Sequence, residues 1–308
     1  MFGSSIQNLG SFSGIAANSR ITFELPKRGT YNALFLRFGI AAGTGLTDAN
    51  LLLEVGDIEL QVNGITKVKL PSWSLRDLAI HKTGSAYVGV VPIYFYNPRW
   101  DSYAQRQDVS LGTADVSSLT LSCNLLAQQT LSTVDVYADW DESRIQPLGA
   151  HYCYGYQDFS YVAGSFDQNT INVFSKTSAI AAHHLIFPST HSTVQPAGTL
   201  TSTAFGLWTP DITNLVVEAD GVTKINNMRP EIIIPQTIAS GYAPVTPLGL
   251  SLRYDGANYN AAVWPMTNVT KLRVRMTTAN TGAAYQGITA GNGRIITEYV
   301  DGIGSANK

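Results

Sequence analysis

The sequence predicts an all-β chain built from two similar domains in tandem, with very little helix. Three observations carry that prediction. The first is an internal repeat. Asn63-Gly64-Ile65-Thr66-Lys67 returns 157 residues later as Asp220-Gly221-Val222-Thr223-Lys224, each time after an alternating apolar run. Asp115-Val116-Ser117-Ser118-Leu119-Thr120-Leu121 returns as Asn268-Val269-Thr270-Lys271-Leu272-Arg273-Val274 at a spacing of 153. Pro92-Ile93-Tyr94-Phe95 matches Pro247-Leu248-Gly249-Leu250 at 155, and Ile21-Thr22-Phe23 matches Ile171-Asn172-Val173 at 150. Such a period is too long for a solenoid unit and fits a whole small domain. The second observation is period-two alternation in short runs closed by turn residues. The third is length, since 308 residues suffice for two separate cores.

The elements follow in order. Residues 1–19 are rich in Gly and Ser, yet Phe2, Ile6, Leu9, Phe12 and Ile15 recur at helix-like spacing. Gly3, Gly10 and Gly14 oppose an isolated helix. The segment reads as an arm that docks on a neighbour, or as a short helix touching a membrane or partner. Strands are expected at 21–25, 32–40, 51–53, 57–62, 87–96, 118–126 and 133–138. Asn63-Gly64 signals a type I′ hairpin, and 73–80 is the one helix candidate of the first half. A polar break at 139–144, followed by Pro147-Leu148-Gly149, sets the boundary. The division expected is an arm over 1–19, a first domain over 20–140, a linker over 141–169 and a second domain over 170–308. Strands of the second domain are expected at 170–174, 184–187, 215–218, 231–234, 248–254, 272–277 and 294–300. Eight or so strands per domain with short turns give a β-sandwich or jelly roll.

Composition narrows the function. Charged residues make up 14% of the chain, against about 25% in typical globular proteins. Such a weakly charged, hydrogen-bonding surface suits broad contact with other protein surfaces. Net charge is −2. The cationic stretches Lys67-Val68-Lys69 and Lys271-Leu272-Arg273-Val274-Arg275 alternate with apolar residues, as on the solvent face of a strand, so direct nucleic-acid binding is not expected. Two cysteines, Cys123 and Cys153, form no disulfide framework. Cys123 is expected as a core thiol, and folding in a reducing cytoplasm is the simpler reading. No secretory leader and no membrane-length apolar run is evident.

The residues that could carry chemistry do not assemble into a site on paper. His183-His184 lie next to one another and so face opposite sides of a strand, with His191 beyond. Asp139, Asp141 and Glu142 are the one carboxylate cluster that could hold structural calcium; a solvated linker paired through Arg144 is the competing reading. Glu24, Glu54, Glu59, Glu218 and Glu231 are expected at outward strand positions, unpaired for glycoside hydrolysis. Trp73, Trp100, Trp140, Trp208 and Trp264 share no spacing, so core or interface packing is expected over a glycan platform. Walker and dinucleotide motifs are missing, and Gly10-Ser11-Phe12-Ser13-Gly14 has Phe where a serine elbow needs its nucleophile. No catalytic, cofactor-binding or metal residue is assigned.

One stretch resembles something specific. It runs from Pro26-Lys27-Arg28-Gly29-Thr30-Tyr31 through Leu34-Phe35-Leu36, Ile58-Glu59-Leu60-Gln61-Val62-Asn63-Gly64 and the short helix at 73–80. Leu111-Gly112-Thr113-Ala114-Asp115-Val116-Ser117-Ser118-Leu119-Thr120-Leu121 continues it. Over residues 20–137 this pattern resembles the N-terminal domain of corticovirus-type phage major coat proteins. That family belongs to the double jelly-roll lineage of tailless, membrane-containing viruses, which includes the adenovirus hexons. The resemblance implies two eight-stranded jelly rolls per chain and a homotrimer forming a pseudo-hexagonal capsomer. It also implies an icosahedral shell around an internal membrane, with neighbouring capsomers and minor capsid and vertex proteins as partners. Location in the virion after assembly in the host cytoplasm follows from it, with no enzymatic activity and no direct nucleic-acid contact. Some relatives bind calcium in the shell, but no motif transfers that site. The other reading kept is a tandem β-sandwich carbohydrate-binding protein.

Overall fold

A computed structural model describes residues 5–40, 44–99, 108–127, 130–161, 165–168, 178–186, 212–228, 230–243, 250–254, 264–265, 269–278 and 291–302. The chain divides into two compact units, residues 1–155 with 300–308, and residues 156–299. It leaves the first unit within one strand and returns within the last.

The first unit contains β1 (Ser5–Ser11), β2 (Arg20–Glu24), β3 (Thr30–Ile40), α1 (Asp48–Glu54), β4 (Val55–Val62), β5 (Ile65–Pro71), α2 (Ser72–Thr83), β6 (Val90–Tyr94), β7 (Leu111–Gly112), β8 (Leu119–Leu125) and β9 (Leu131–Asp141). One sheet has the order β1-β9-β3-β6, with β7 also on β3; the other strands run β5-β4-β8-β2. Alternation decides which side chains go inward. In β9, Leu131, Val134, Val136 and Ala138 are buried while Asp135, Tyr137 and Asp139 are partly exposed. Leu34, Leu36, Phe38, Ile58, Leu60, Val91, Ile93, Leu119 and Leu121 complete the core without measurable exposure. Cys123 joins them, and burial pushes its thiol up to about 12.

In the second unit the strands are β11 (Ser165–Gln168), β12 (Ala179–Ile186), β13 (Ile212–Ala219), β14 (Val222–Met228), β15 (Leu250–Arg253), β16 (Trp264–Pro265), β17 (Leu272–Thr278) and β18 (Gly291–Asp301), with α3 (Pro230–Ala239) after β14. Their order repeats that of the first unit. The sequence β14-β13-β17-β11 matches β5-β4-β8-β2, and β18-β12-β15 with β16 on β12 matches β9-β3-β6 with β7 on β3. The neighbour of β18 is β10 (His151–Tyr161), as β1 is of β9. Ile180, Leu185, Leu215, Val217, Ile233, Leu252, Val274 and Ile295 form the core here.

Several expectations change. Residues 5–11 form a strand, because β9 supplies six consecutive partners, Asp135 to Trp140, and the Gly10 bulge (φ +130°) suits a β edge. Phe12 is buried against Phe23, with ring centroids 5.5 Å apart, so it does not face outward. Residues 51–53 lie in α1, whose N-cap Thr47 accepts from the Asn50 N–H. Residues 231–234 lie in α3. The β-branched Ile run reads as strand locally, but Pro230 suits a first helical position, and α3 follows the second hairpin as α2 follows the first. The expected linker carries β10 and β11. The strand expected at 170–174 lies outside the described residues. In the register of the repeat its place belongs to β11: Phe166 pairs with Met276 where Ile21 pairs with Cys123.

Candidate assembly surfaces

The duplication is sharpest at the two hairpins. Asn63 (φ 52°) and Gly64 (φ 76°) close β4–β5, and Asp220 (φ 46°) and Gly221 (φ 82°) close β13–β14. Both residues of a type I′ turn need positive φ, which Asn, Asp and Gly tolerate. Each first turn residue also clamps the strand alongside. Asn63 Oδ1 accepts from the backbone N–H of Ser117 (2.7 Å) and Ser118 (3.2 Å) and from the Ser117 hydroxyl (2.9 Å). The Asp220 carboxylate accepts from the N–H of Thr270 (2.9 Å) and Lys271 (2.8 Å) and from the Thr270 hydroxyl (2.8 Å). These backbone and hydroxyl donors of Thr270 hold the Asp220 carboxyl below the usual range. The next residues, Ile65 and Val222, are 61% and 71% exposed. The two hairpins thus present an apolar side chain at equivalent places, one in each unit. In the first unit Ile6, Tyr87, Val88 and Ile145 are also exposed, as are Ile232 and Ile238 of α3 in the second.

The charges are mostly spent on the fold. Arg273 and Arg275 both reach Glu218, at 3.2 and 3.1 Å. Lys67 was expected on a solvent face; instead it is buried, with Nζ 2.5 Å from Asp301. Glu54 was expected outward and is also buried. Its carboxylate accepts from the Thr130 N–H and hydroxyl, both 2.7 Å, and from the Leu131 N–H, 2.9 Å. Glu24 bonds Thr120, and Glu59 bonds Arg20, Gln61 and Thr66. The Glu231 side chain lies outside the described residues. Each described carboxylate of this group holds a structural partner.

The remaining candidates separate. Asp141 is buried and caps its own turn, accepting from the Ser143 N–H (2.9 Å) and hydroxyl (2.6 Å); Asp139 lies near Asn32, and Glu142 is exposed. His183 Nδ1 lies 3.3 Å from the Tyr254 hydroxyl, while His184 sits between Ser251 (2.7 Å) and Glu298 (2.9 Å), on the opposite face as the alternation requires. His191, Trp100 and Trp208 lie outside the described residues, as does the side chain of Trp264. Trp140 is buried beside Tyr31, with ring centroids 5.4 Å apart. Among the described residues one group of three ligating side chains converges, His151, Cys153 and Asp301. Nothing in the sequence links them, because Asp301 lies on β18 and the other two on β10. His151 and Cys153 are 1% and 0% exposed. No described helix is long and apolar enough to cross a membrane.

Comparison with known proteins agrees with this geometry. Residues 6–141 match the model of the viral coat protein P2 N-terminal domain. The structure is similar to that of the major capsid protein P2 from bacteriophage PM2, with a TM-score of 0.73 at 14% identity, over 96% of this chain and 97% of that one. It is also similar to a chain of the PBCV-1 virus capsid (TM-score 0.65, 11% identity, 97% and 94% covered). The STIV major capsid protein gives a TM-score of 0.62 at 12% identity, with 98% of each chain covered. No curated protein matches by sequence. Residues 6–141 thus match a viral coat protein domain, and the repeated eight-strand order gives the chain the double jelly-roll architecture of these capsid proteins.

Proposed function

We propose that three copies of this chain form a pseudo-hexagonal capsomer, and that such capsomers tile an icosahedral shell around an internal membrane. The observation that supports this is the repeated strand order, β5-β4-β8-β2 and β14-β13-β17-β11. A chain with two alike barrels has two alike sets of edges and hairpins, and threefold closure of such chains approximates sixfold packing. Jelly rolls also cover most of their strand edges, which matters for a protein made in many copies. Ile65 and Val222 offer apolar contacts at equivalent hairpins. Strand β1 ends its sheet and exposes Ile6, which suits it to meet a neighbouring capsomer or the membrane. Minor and vertex proteins would join at the shell's gaps, with assembly in the host cytoplasm. Light scattering and electron microscopy of the purified chain test the reading. A trimer with a six-lobed outline is expected; a monomer that persists at high concentration refutes it.

A further inference from the structure

We propose that His151, Cys153 and Asp301 bind one zinc-class divalent ion in the first unit. His151 and Cys153 are two residues apart on β10, so their side chains leave the same face of the strand. Asp301 is the last residue of β18. One donor atom from each residue lies within 4.8 Å of the other two. His151 Nδ1 is 2.7 Å from the Gly149 carbonyl oxygen. A carbonyl only accepts, so Nδ1 carries the ring proton and Nε2 is a bare lone pair. That Nε2 is buried and has no hydrogen-bond partner. The Cys153 thiol does not supply one, since it points to the His151 carbonyl at 3.9 Å. A buried acceptor with no donor costs free energy and calls for an explanation. A metal ion is one that also fits the rest of the arrangement, because a metal-bound His commonly donates its other N–H to a backbone carbonyl.

The donor set selects the ion. Thiolate and imidazole suit zinc, whereas calcium and magnesium take oxygen ligands. On binding, the Cys153 S–H bond breaks and its proton passes to solvent; the thiolate and the Asp301 carboxylate then face the ion, and with the Lys67 ammonium beside Asp301 the site carries one net positive charge. Asp301 Oδ2 is held by Lys67 Nζ at 2.5 Å and Oδ1 by the Gly302 N–H at 2.9 Å. A carboxylate oxygen can accept a hydrogen bond and bind a metal together, and Lys67 then orients the carboxylate from outside. With three protein ligands, water completes a tetrahedron. Bound there, the ion would tie the end of β18 to the start of β10.

The test uses the full chain, stripped with chelator, loaded with zinc and passed through gel filtration. Elemental analysis is expected to find about one zinc per chain. Cobalt in its place is expected to show thiolate charge-transfer absorption, which Cys153→Ser abolishes, and excess calcium is expected to leave the band unchanged. Lys67→Met is expected to weaken binding roughly 10-fold or more. A natively folded wild-type chain that retains under roughly a fifth of an equivalent of zinc overturns the site. So does cobalt binding without a thiolate band, which decides the matter even where Cys153→Ser does not fold. The shell reading is tested separately by trimer formation, so either can fail alone.

Discussion

Replacing Glu54 is the most telling test of how the first unit is held together. Its carboxylate sits at the end of α1, 2% exposed, and accepts three hydrogen bonds from Thr130 and Leu131 at the entrance to β9. Glu54→Ala leaves the buried Leu131 N–H and the part-buried Thr130 N–H without an acceptor. Each orphaned donor costs about 1–3 kcal/mol, and the lost side-chain burial adds roughly 1 kcal/mol. With the part-buried Thr130 N–H at the low end of that range, the expected loss is about 3–5 kcal/mol, toward the severe end for a point mutation. For a unit of this size, about 2–4 °C of melting temperature goes with each kcal/mol, so a fall on the order of 10 °C is expected. Glu54→Gln is the control. Its amide oxygen keeps the two backbone donors, and the Thr130 hydroxyl rotates to accept from the new NH2. The loss is then mainly charge assistance, about 1 kcal/mol. Thermal melting by circular dichroism at one fixed protein concentration reads both. The reasoning fails if Ala melts within about 1 kcal/mol of wild type, or if Gln is as damaging as Ala.

Four other outcomes are expected. Burial, with a smaller contribution from the neighbouring His184, lowers the His183 pKa to about 3, while an unfolded histidine titrates near 6.5. Between those values the unfolded chain binds the extra proton, so stability falls as pH drops below about 6.5, by up to roughly 1.4 kcal/mol per pH unit; His183→Asn should flatten that slope in a denaturant series at several pH values. Both cysteines are buried, so alkylation at mildly alkaline pH should modify neither in the native chain and both after unfolding, read by mass spectrometry. Because its hydrogen bonds favour the ionised Asp220, the clamp contributes stability above the ordinary carboxylate range and loses it as pH falls through the lowered folded value; Asp220→Asn should remove that dependence and Asp220→Ala should destabilise, both visible in melts between pH 3 and 7 (roughly). Replacing Ile65 and Val222 together by Ser should leave the melting temperature nearly unchanged, since both are exposed, and should lower assembly measured by light scattering.

Much of the architecture was legible because turn chemistry is local. Asn63-Gly64 and Asp220-Gly221 require positive φ wherever they stand, and they marked the duplicated hairpins directly. The alternation of β9 and β17 was equally readable. What escaped depends on partners distant in the chain. The spacing of Phe2, Ile6, Leu9 and Phe12 resembles a helix, yet residues 5–11 pair with β9 across 124 or more positions. Ile232-Ile233-Ile234 has strand propensity but falls where the duplicated fold places a helix. Glu54 and Lys67 look like surface charges in isolation; their burial follows from Thr130, Leu131 and Asp301, which no local window contains. The converging His151, Cys153 and Asp301 were invisible for the same reason.

The two hairpin clamps suggest what constrains a duplicated jelly-roll chain. Between the units Asn63 has become Asp220, Ser117 has become Thr270 and Ile65 has become Val222, and the spacing drifts from 157 at the hairpin to 153 at the clamped strand. The geometry is nevertheless the same. The Asn63 N–H donates to the Ser118 carbonyl at 2.9 Å, and the Asp220 N–H to the Lys271 carbonyl at 2.8 Å. Each substitution preserves a chemical role: tolerance of positive φ, a side-chain acceptor, a hydroxyl donor, an exposed β-branched apolar group. Loop lengths changed while these roles held, because loops lie on the surface and tolerate insertion whereas register does not. If alike edges are what a pseudo-hexagonal tile needs, the roles that keep strand order and hairpin position are the ones that must survive in both halves. The side chains between them are then free to differ.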